Sequence, residues 1–221
     1  MFWHPRPPGT DGLPGGHGEL VLVLPAFLCS DGSTAALRGF LNRLGYDAHG
    51  WGLGVNAGPT PRVLTGVRRR LDCLVSGSGR RAIVIGVSLG GLFARDLAHD
   101  RPDAVRQVIT LASPYVLPTA SPLEFLIRMF GRFYAPVADP ARPRRSLPVP
   151  SLAVFTREDG IVAWETCRAE EPRGTVLEVR GAHSTIARNP VVLEAIARQL
   201  ANPAAVDPAR DGNAEPARRT R

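Results

Sequence analysis

The sequence contains no lysine, so all 27 of its basic side chains are arginine. With 20 acidic residues, the formal net charge is +7. The arginines are dispersed along the chain, and no signature of a nucleic-acid-binding fold accompanies them. The positive balance therefore does not indicate a nucleic-acid partner, and we expect none.

Cysteine is scarce, with three residues that lie far apart in the chain: Cys29, Cys73 and Cys167. An odd number without a C-x-x-C spacing argues against a disulfide framework and a zinc site, and is typical of reduced cytoplasmic thiols. The N-terminus lacks the basic start and apolar run of a secretory signal, and no apolar stretch is long enough to span a membrane. We therefore expect a cytoplasmic protein.

The two ends of the chain lack a periodic apolar pattern. Residues 1–18 are dominated by Gly and Pro, and residues 202–221 by Pro, Asp, Ala and Arg. Such segments bury too little apolar surface to offset their ordering entropy, which predicts a flexible N-terminal arm and a disordered C-terminal tail. The remainder, residues 19–201, suits one soluble globular domain.

Between the ends, short apolar runs alternate with amphipathic stretches, which predicts repeated β-α units around a mainly parallel sheet. The predicted strands are Leu20–Pro25, Tyr46–Trp51, Ala82–Val87, Val105–Leu111, Ser151–Phe155 and Thr175–Val179. The predicted helices are Ala35–Leu44, Val63–Val75, Leu92–Ala98 and Pro190–Leu200. Gly77 and Gly79 are expected to end the second helix.

The clearest chemical motif follows the third predicted strand, which runs directly into Gly86-Val87-Ser88-Leu89-Gly90. A turn that sharp strains the backbone of Ser88 and brings Gly86 and Gly90 together, where a β-carbon finds no room. Ser88 then projects from the carboxyl end of the sheet, and the Leu89 amide lies at a helix N-terminus, which favours negative charge. This context is typical of a nucleophile elbow.

A serine nucleophile needs a base, and His183 is the best placed of the five histidines because it follows the last predicted strand. A carboxylate that holds the imidazole is expected after the preceding strand. Asp159 is the first choice there, Glu158 is the alternative and Asp139 is a more distant one. The order along the chain is then Ser88, Asp159, His183.

This order, the elbow and the positions after successive strands resemble the α/β-hydrolase superfamily over residues 20–200. Residues 87–91, 52–59 and 181–184 are similar to its small bacterial lipase and esterase branch, although residues 52–59 suggest no chemistry of their own. The resemblance implies a three-layer αβα fold. The first two antiparallel strands of the superfamily have no counterpart before Leu20, so we expect a sheet of about six strands.

The resemblance also implies an oxyanion hole formed by the Leu89 amide and a second amide from the loop after the first strand. That loop reads Pro25-Ala26-Phe27-Leu28, where lipases typically carry His-Gly followed by an apolar residue. Aligned in this way, Phe27 donates its backbone amide, and Leu28 is the alternative donor.

Residues 113–150 form a predicted lid-like insertion on the side of the catalytic loops, and residues 122–134 within it have helical periodicity with a mostly apolar circumference. This helix either covers an acyl-binding pocket or packs on the body. Leu28, Tyr115 and Phe125 are candidate substrate-binding residues. The apolar surface is compatible with contact at a membrane surface, and the sequence does not specify an oligomeric state.

Together these features predict a serine hydrolase that cleaves small apolar carboxylic esters. The chain itself supplies the nucleophile, the base and the groups that stabilise charge, so no metal and no organic cofactor are expected. An acyltransferase or a thioesterase uses the same three residues. A non-catalytic binding protein on the same fold is a further alternative.

Overall fold

A computed structural model of the chain describes residues 9–115, 145–168 and 171–202. The strands in these ranges are β1 (Leu20–Leu24), β2 (Asp47–Gly50), β3 (Ala82–Val87), β4 (Val105–Leu111), β5 (Ser151–Phe155) and β6 (Gly174–Glu178). The α-helices are α1 (Ala35–Arg43), α2 (Pro61–Ser78), α3 (Leu89–Asp100) and α4 (Pro190–Leu200). None of the helices in the described ranges is long and apolar enough to cross a membrane.

Helix α2 shows how local sequence sets the bounds of an element. The Thr60 hydroxyl accepts a hydrogen bond from the Val63 amide at 3.2 Å, and Pro61 occupies the first helical position. Gly79 follows the last turn with a φ of 67°, a conformation that ends helices and suits glycine. Gly79 ends this helix as predicted, whereas Gly77, which was also expected to end it, lies within its last turn.

Strands β3, β4 and β5 begin and end at the predicted residues. Helix α3 instead begins at Leu89, three residues before the predicted start at Leu92. Its first turn contains Gly90 and Gly91, and glycine is a poor helix former, so the local sequence does not indicate a helix there. The helix therefore starts directly after Ser88.

The six strands form one sheet in the order β2-β1-β3-β4-β5-β6, and every neighbouring pair is parallel. From β1 the chain moves outward to β2, whereas from β3 it continues to β4 on the other side. In open parallel sheets, ligands bind outside the carboxyl ends of the strands at such a switch point. The topology therefore points to the ends of β1 and β3, at Leu24 and Val87.

Helices cover both faces of the sheet. In β1, Val21 and Val23 share a buried cluster with residues of α1 and α4. Leu20, Leu22 and Leu24 belong to a second buried cluster with residues of α2 and α3. This alternation is the period of two that a strand imposes on its side chains. The predicted three-layer αβα architecture with a six-stranded sheet is confirmed for the described residues.

The described N-terminal segment, residues 9–18, contacts the body of the protein. The Gly16 amide donates a hydrogen bond of 2.7 Å to the Leu44 carbonyl, which follows α1. The flexible arm and the disordered tail that composition predicts stay predictions, because residues 1–8 and 203–221 lie outside the described part of the chain.

The predicted insertion, residues 113–150, is described at its two ends only. The helix predicted at residues 122–134, and Phe125 with it, lies outside the described residues. Leu147 and Val149, near the end of the insertion, are buried against the cluster that contains α2 and α3. The predictions of a lid and of a packed helix therefore both stay open.

A buried ion pair fixes the chain where it returns from the insertion. Arg95 of α3 lies 2.8 Å from a carboxylate oxygen of Glu171, and the two side chains are 4% and 5% exposed. Arg95 also donates to the Arg145 carbonyl at 2.9 Å, and Glu171 accepts from the Leu147 amide at 2.8 Å. The pair thereby connects α3 to both segments that precede β5 and β6.

Glu171→Gln is expected to lower the free energy of unfolding by about 3 kcal/mol, because it removes the negative charge opposite a buried guanidinium. Glu194→Gln is the matched control, since Glu194 pairs with Arg198 at 2.8 Å on the exposed side of α4. This change is expected to cost less than about 0.5 kcal/mol. Urea denaturation measures both variants, and equal losses would contradict a special role for the buried pair.

Candidate active site

Ser88 lies at the turn between β3 and α3 with a φ of 51° and a ψ of −120°. Non-glycine residues rarely adopt a positive φ, and such a conformation persists only where the surrounding structure enforces it. The Ser88 amide donates to the Leu111 carbonyl of β4 at 2.8 Å, and its carbonyl accepts from the Gly91 amide at 2.9 Å. The side chain is buried, at the carboxyl edge of the sheet.

Two glycines, Gly86 and Gly90, make this turn possible. A β-carbon on Gly86 would overlap the Gly90 carbonyl and the Gly91 α-carbon. A β-carbon on Gly90 would lie 2.5 Å from the Leu24 carbonyl oxygen and 2.8 Å from that of Pro25. The close approach that the sequence predicts for positions 86 and 90 is thus present, and it extends to the end of β1.

His183 and Asp159 form a buried pair in the loops after β6 and β5. The Nδ1 atom of His183 lies 2.8 Å from Oδ2 of Asp159, and their side chains are 8% and 2% exposed. An ionised carboxylate can only accept, so Nδ1 carries the hydrogen and Nε2 is left as the acceptor. A neutral imidazole in this tautomer is the form that a general base requires.

Asp159 also accepts hydrogen bonds from the backbone. Its Oδ1 atom accepts from the Ile161 amide at 3.1 Å and from the Val162 amide at 2.6 Å. Its own carbonyl accepts from the His183 amide at 3.3 Å. The carboxylate is therefore fixed on one side by its own loop and presents its other oxygen to the imidazole.

Glu158, the alternative carboxylate, has a different partner. Its Oε2 atom accepts a hydrogen bond from the Gly181 amide at 2.9 Å, so it holds the backbone of the histidine loop rather than the ring. Asp139, the third choice from sequence, lies outside the described residues. Of the described candidates, Asp159 is the one that contacts the His183 ring.

The other described histidines lie elsewhere in the fold. His49 is in β2, where its Nε2 atom is 2.8 Å from a carboxylate oxygen of Asp47. His99 is in the last turn of α3, far along the helix from Ser88, and His17 lies before β1. Among the described histidines, His183 is therefore the base candidate that the topology brings to the edge where Ser88 lies.

Two backbone segments border Ser88 at the switch point. Leu89 begins α3, and the first amides of a helix have no acceptor within it. Phe27 lies in the loop after β1, which the close approach of Pro25 to Gly90 places beside the start of α3. The Leu28 amide instead donates to the Asn56 carbonyl at 2.8 Å, which argues against the alternative in which Leu28 binds an oxyanion.

The structure describes two of the three candidate substrate-binding residues. Leu28 has a φ of 57°, which is a strained backbone conformation for a non-glycine residue. Its apolar side chain is 57% exposed to water. The Tyr115 amide donates to the Thr166 carbonyl at 2.9 Å. Val55 and Ile161, which sequence reasoning did not single out, are also exposed and follow β2 and β5 at the same edge.

Cys167 is a buried thiol whose pKa is influenced by Asp159, but it is not a candidate nucleophile. Burial, with a smaller contribution from the charge of Asp159, raises the pKa of Cys167 to about 12. The thiol therefore stays protonated at neutral pH, and a protonated thiol is inert as a nucleophile. Within the described ranges, no group of three or more His, Cys, Asp and Glu side chains has the arrangement of a metal site.

No protein-family model and no curated protein sequence matches this chain. Its fold, however, is similar to that of many solved structures. Aspergillus fumigatus lipase B superposes with a TM-score of 0.67 at 15% identity over 93% of this chain, which spans 57% of the lipase B chain. Bacillus licheniformis lipase BlEst2 superposes with a TM-score of 0.61 at 13% identity, over 86% of this chain and 94% of that one.

The thioesterase domain from the curacin biosynthetic pathway also superposes, with a TM-score of 0.60 at 12% identity over 84% of this chain and 93% of the domain. At these identities the likeness concerns the fold. Lipases, esterases and thioesterases of this kind have the α/β-hydrolase fold, and this chain has it as well. The resemblance noted in the sequence is thereby confirmed at the level of the fold.

Gly86→Ala is expected to lower the free energy of unfolding by about 3 kcal/mol or more, because its β-carbon meets backbone atoms that cannot turn away. Gly77→Ala in α2 is the matched control, since no described atom outside its own helix lies within 4 Å of the added carbon. That change is expected to raise stability by about 0.5–1 kcal/mol. Thermal denaturation distinguishes them, and a Gly86→Ala protein as stable as the parent would show that the turn is not this crowded.

Proposed function

We propose that this protein is a serine hydrolase that cleaves carboxylic esters, with Ser88 as nucleophile, His183 as general base and Asp159 as the carboxylate that orients the base. The observation that carries the proposal is the buried hydrogen bond between Nδ1 of His183 and Oδ2 of Asp159. It leaves Nε2 as a proton acceptor at the edge of the sheet where the strained turn presents Ser88.

The reaction follows from these roles. Ser88 Oγ forms a bond to the acyl carbonyl carbon while Nε2 of His183 accepts the hydroxyl proton. The bond from that carbon to the alcohol oxygen then breaks, and His183 returns the proton to the leaving alcohol. Water attacks the acyl-enzyme in the same way, with His183 taking a proton from the water and returning it to Ser88. The Asp159 carboxylate stabilises the imidazolium that forms in both steps.

Negative charge develops on the carbonyl oxygen in each tetrahedral intermediate. We assign the Leu89 amide, at the N-terminus of α3, as one donor to this oxygen, since a helix N-terminus favours negative charge. The Phe27 amide, from the loop after β1, is the second donor in this assignment. The packing of Pro25 against Gly90 supports it, because this contact brings the two segments together.

An apolar ester is the substrate class that the surroundings of the site favour. Leu28, Val55 and Ile161 expose apolar side chains on three different loops at the carboxyl edge of the sheet. Burying such side chains against an acyl chain is favourable by roughly 25 cal/mol per Å². The structural neighbours named as lipases agree with this choice.

A fluorophosphonate probe tests the nucleophile, because it reacts preferentially with an activated serine. We expect the purified protein to be labelled, Ser88→Ala to lose labelling entirely, and His183→Ala to react at least about 1000-fold more slowly. Ser113→Ala is the matched control, since Ser113 is also a buried serine at the end of a neighbouring strand, and it should be labelled like the parent. Each variant is checked for folding by circular dichroism.

Labelling that persists in a folded Ser88→Ala protein would refute the assignment of the nucleophile. A folded parent protein that is not labelled and does not hydrolyse p-nitrophenyl esters of short or long chains would instead favour a non-catalytic binding protein on this fold.

The two neighbouring carboxylates give a second test. Asp159→Asn is expected to lower kcat by about 1000- to 10,000-fold, since the imidazole loses the partner that holds its tautomer. Glu158→Gln is expected to cost less than about tenfold, because glutamine keeps an oxygen that can accept from the Gly181 amide. Steady-state ester hydrolysis compares them, and the reverse order of losses would assign the role to Glu158.

A thioesterase is the second candidate, because the curacin thioesterase domain has the same fold at a similar TM-score. The same three residues serve thioester cleavage, which differs in the leaving group rather than in the nucleophile. Matched acyl esters and acyl thioesters of one chain length separate the two activities by their ratio of kcat/KM.

A further inference from the structure

The segment 52–59, whose role the sequence does not reveal, lies beside the loop that follows β1. Its central residue, Asn56, has no exposed surface, although its side chain is an amide. Burying an amide is unfavourable unless its donors and acceptors are paired. A fully buried asparagine in a loop at the carboxyl edge of the sheet therefore requires a specific set of partners.

Asn56 holds the loop after β1 through both its side chain and its backbone. Its Nδ2 atom donates to the Pro25 carbonyl at 2.8 Å. Its own carbonyl accepts from the Leu28 amide at 2.8 Å, and its own amide donates to the Cys29 carbonyl at 2.8 Å. Its Oδ1 atom accepts from the Gly58 amide at 3.1 Å, which fixes the side chain in place. Residues 25–29 are thus held at three points.

The Pro25 carbonyl oxygen that accepts the hydrogen bond from Asn56 also lies against the start of α3. The Pro25 carbonyl oxygen would be only 2.8 Å from a β-carbon on Gly90, so it packs against the first turn of α3. Asn56 therefore sets how the loop after β1 meets the turn that carries Ser88. Leu89 precedes Gly90, and Phe27 follows Pro25 by two residues.

We propose that Asn56 is a positioning residue for the oxyanion hole, and this inference rests on the function proposed above. By fixing Pro25 and Leu28, it places the intervening Phe27 amide at a set distance from the Leu89 amide. Oxyanion donors act only when they lie about 2.7–3.1 Å from the position of the developing charge. A displacement of about 1 Å can cost 100-fold in rate.

The Asp31 carboxylate also joins the loops that follow β1 and β2. Asp31 accepts hydrogen bonds from the amides of Trp51 and Gly52 at 2.9 and 3.0 Å, and these residues begin the segment that carries Asn56. The loops after β1 and β2 are therefore joined by side chains from both directions. This arrangement explains why the segment can project a buried amide toward Pro25 without regular secondary structure of its own.

Asn56→Ala and Asn56→Asp test the proposal, because both remove the donor to Pro25 while the second keeps the shape and the acceptor. We expect kcat for p-nitrophenyl butyrate to fall about 100-fold in both variants, with KM changed less than about threefold. In Asn56→Ala the pH at which kcat/KM is half its maximum should not move, because this change adds no charge and leaves the His183–Asp159 pair untouched. Affinity for a boronic acid, which forms a tetrahedral adduct with the serine, should fall in parallel with kcat.

Asn42→Ala is the matched control. The Oδ1 atom of Asn42 accepts from the Ala48 amide at 2.8 Å, so this residue also links two elements through a side-chain amide, but at the start of β2. It should leave kcat within about threefold of the parent. Assays are made well below the melting temperature of each variant, so that a loss of folded protein does not enter the comparison.

Hydrogen exchange tests whether Asn56 holds residues 25–29, and it does not depend on an activity assay. In Asn56→Ala we expect the amides of Leu28 and of residue 56, which bridge the two loops, to exchange at least about tenfold faster, while residues 180–189 keep their rates. The positioning role is wrong if the Asn56 variants retain the kcat of an active parent or show only an increase in KM. It is also wrong if their loss of kcat is no larger than that of Asn42→Ala. A folded parent that hydrolyses no ester overturns the proposed function instead, and exchange still shows whether Asn56 holds the loop.

Discussion

The turn at Ser88 is the constraint on which the rest of this structure depends. A positive φ at a non-glycine residue costs of order 1–3 kcal/mol, and the protein must supply that energy elsewhere. Much of it comes from β3, which is buried along its whole length between neighbours on both sides. The hydrogen bond from Ser88 to Leu111 ties the strained residue to the next strand as well. The burial of β3 and the placement of Ser88 at the carboxyl edge of the sheet are thus two results of one topology.

A second requirement follows from the first, because the carboxyl edge of the sheet must bury several polar groups close to the strained turn. Ser88, Asp159, His183 and Asn56 are all nearly inaccessible to water. Backbone groups pair with both side-chain polar atoms of Asn56 and with Oδ1 of Asp159, and backbone partners are hard to displace. Such pairing makes the edge rigid, and rigid donors stabilise charge without reorganising during a reaction.

The fold and the placement of the candidate site residues at the carboxyl edge of the sheet could be predicted from the sequence because their signals are local. Buried parallel strands appear as continuous apolar runs, so β3, β4 and β5 have the predicted bounds. The role of Asn56 could not be predicted in this way. It depends on a bond to Pro25, 31 residues earlier in the chain, and on the adjacency of β1 and β2. Nothing in residues 52–59 alone distinguishes a segment that holds another loop in place from an ordinary turn.

The local sequence does not determine which of Asp159 and Glu158 contacts the imidazole, and the three-dimensional geometry does. Both residues follow β5, and either carboxylate is chemically suited to an imidazole. The shorter Asp159 side chain folds back onto the amides of Ile161 and Val162, which aims its second oxygen at the ring. The longer Glu158 reaches the Gly181 amide instead. Both carboxylates therefore serve one loop, Asp159 by orienting the imidazole and Glu158 by holding the backbone that carries it.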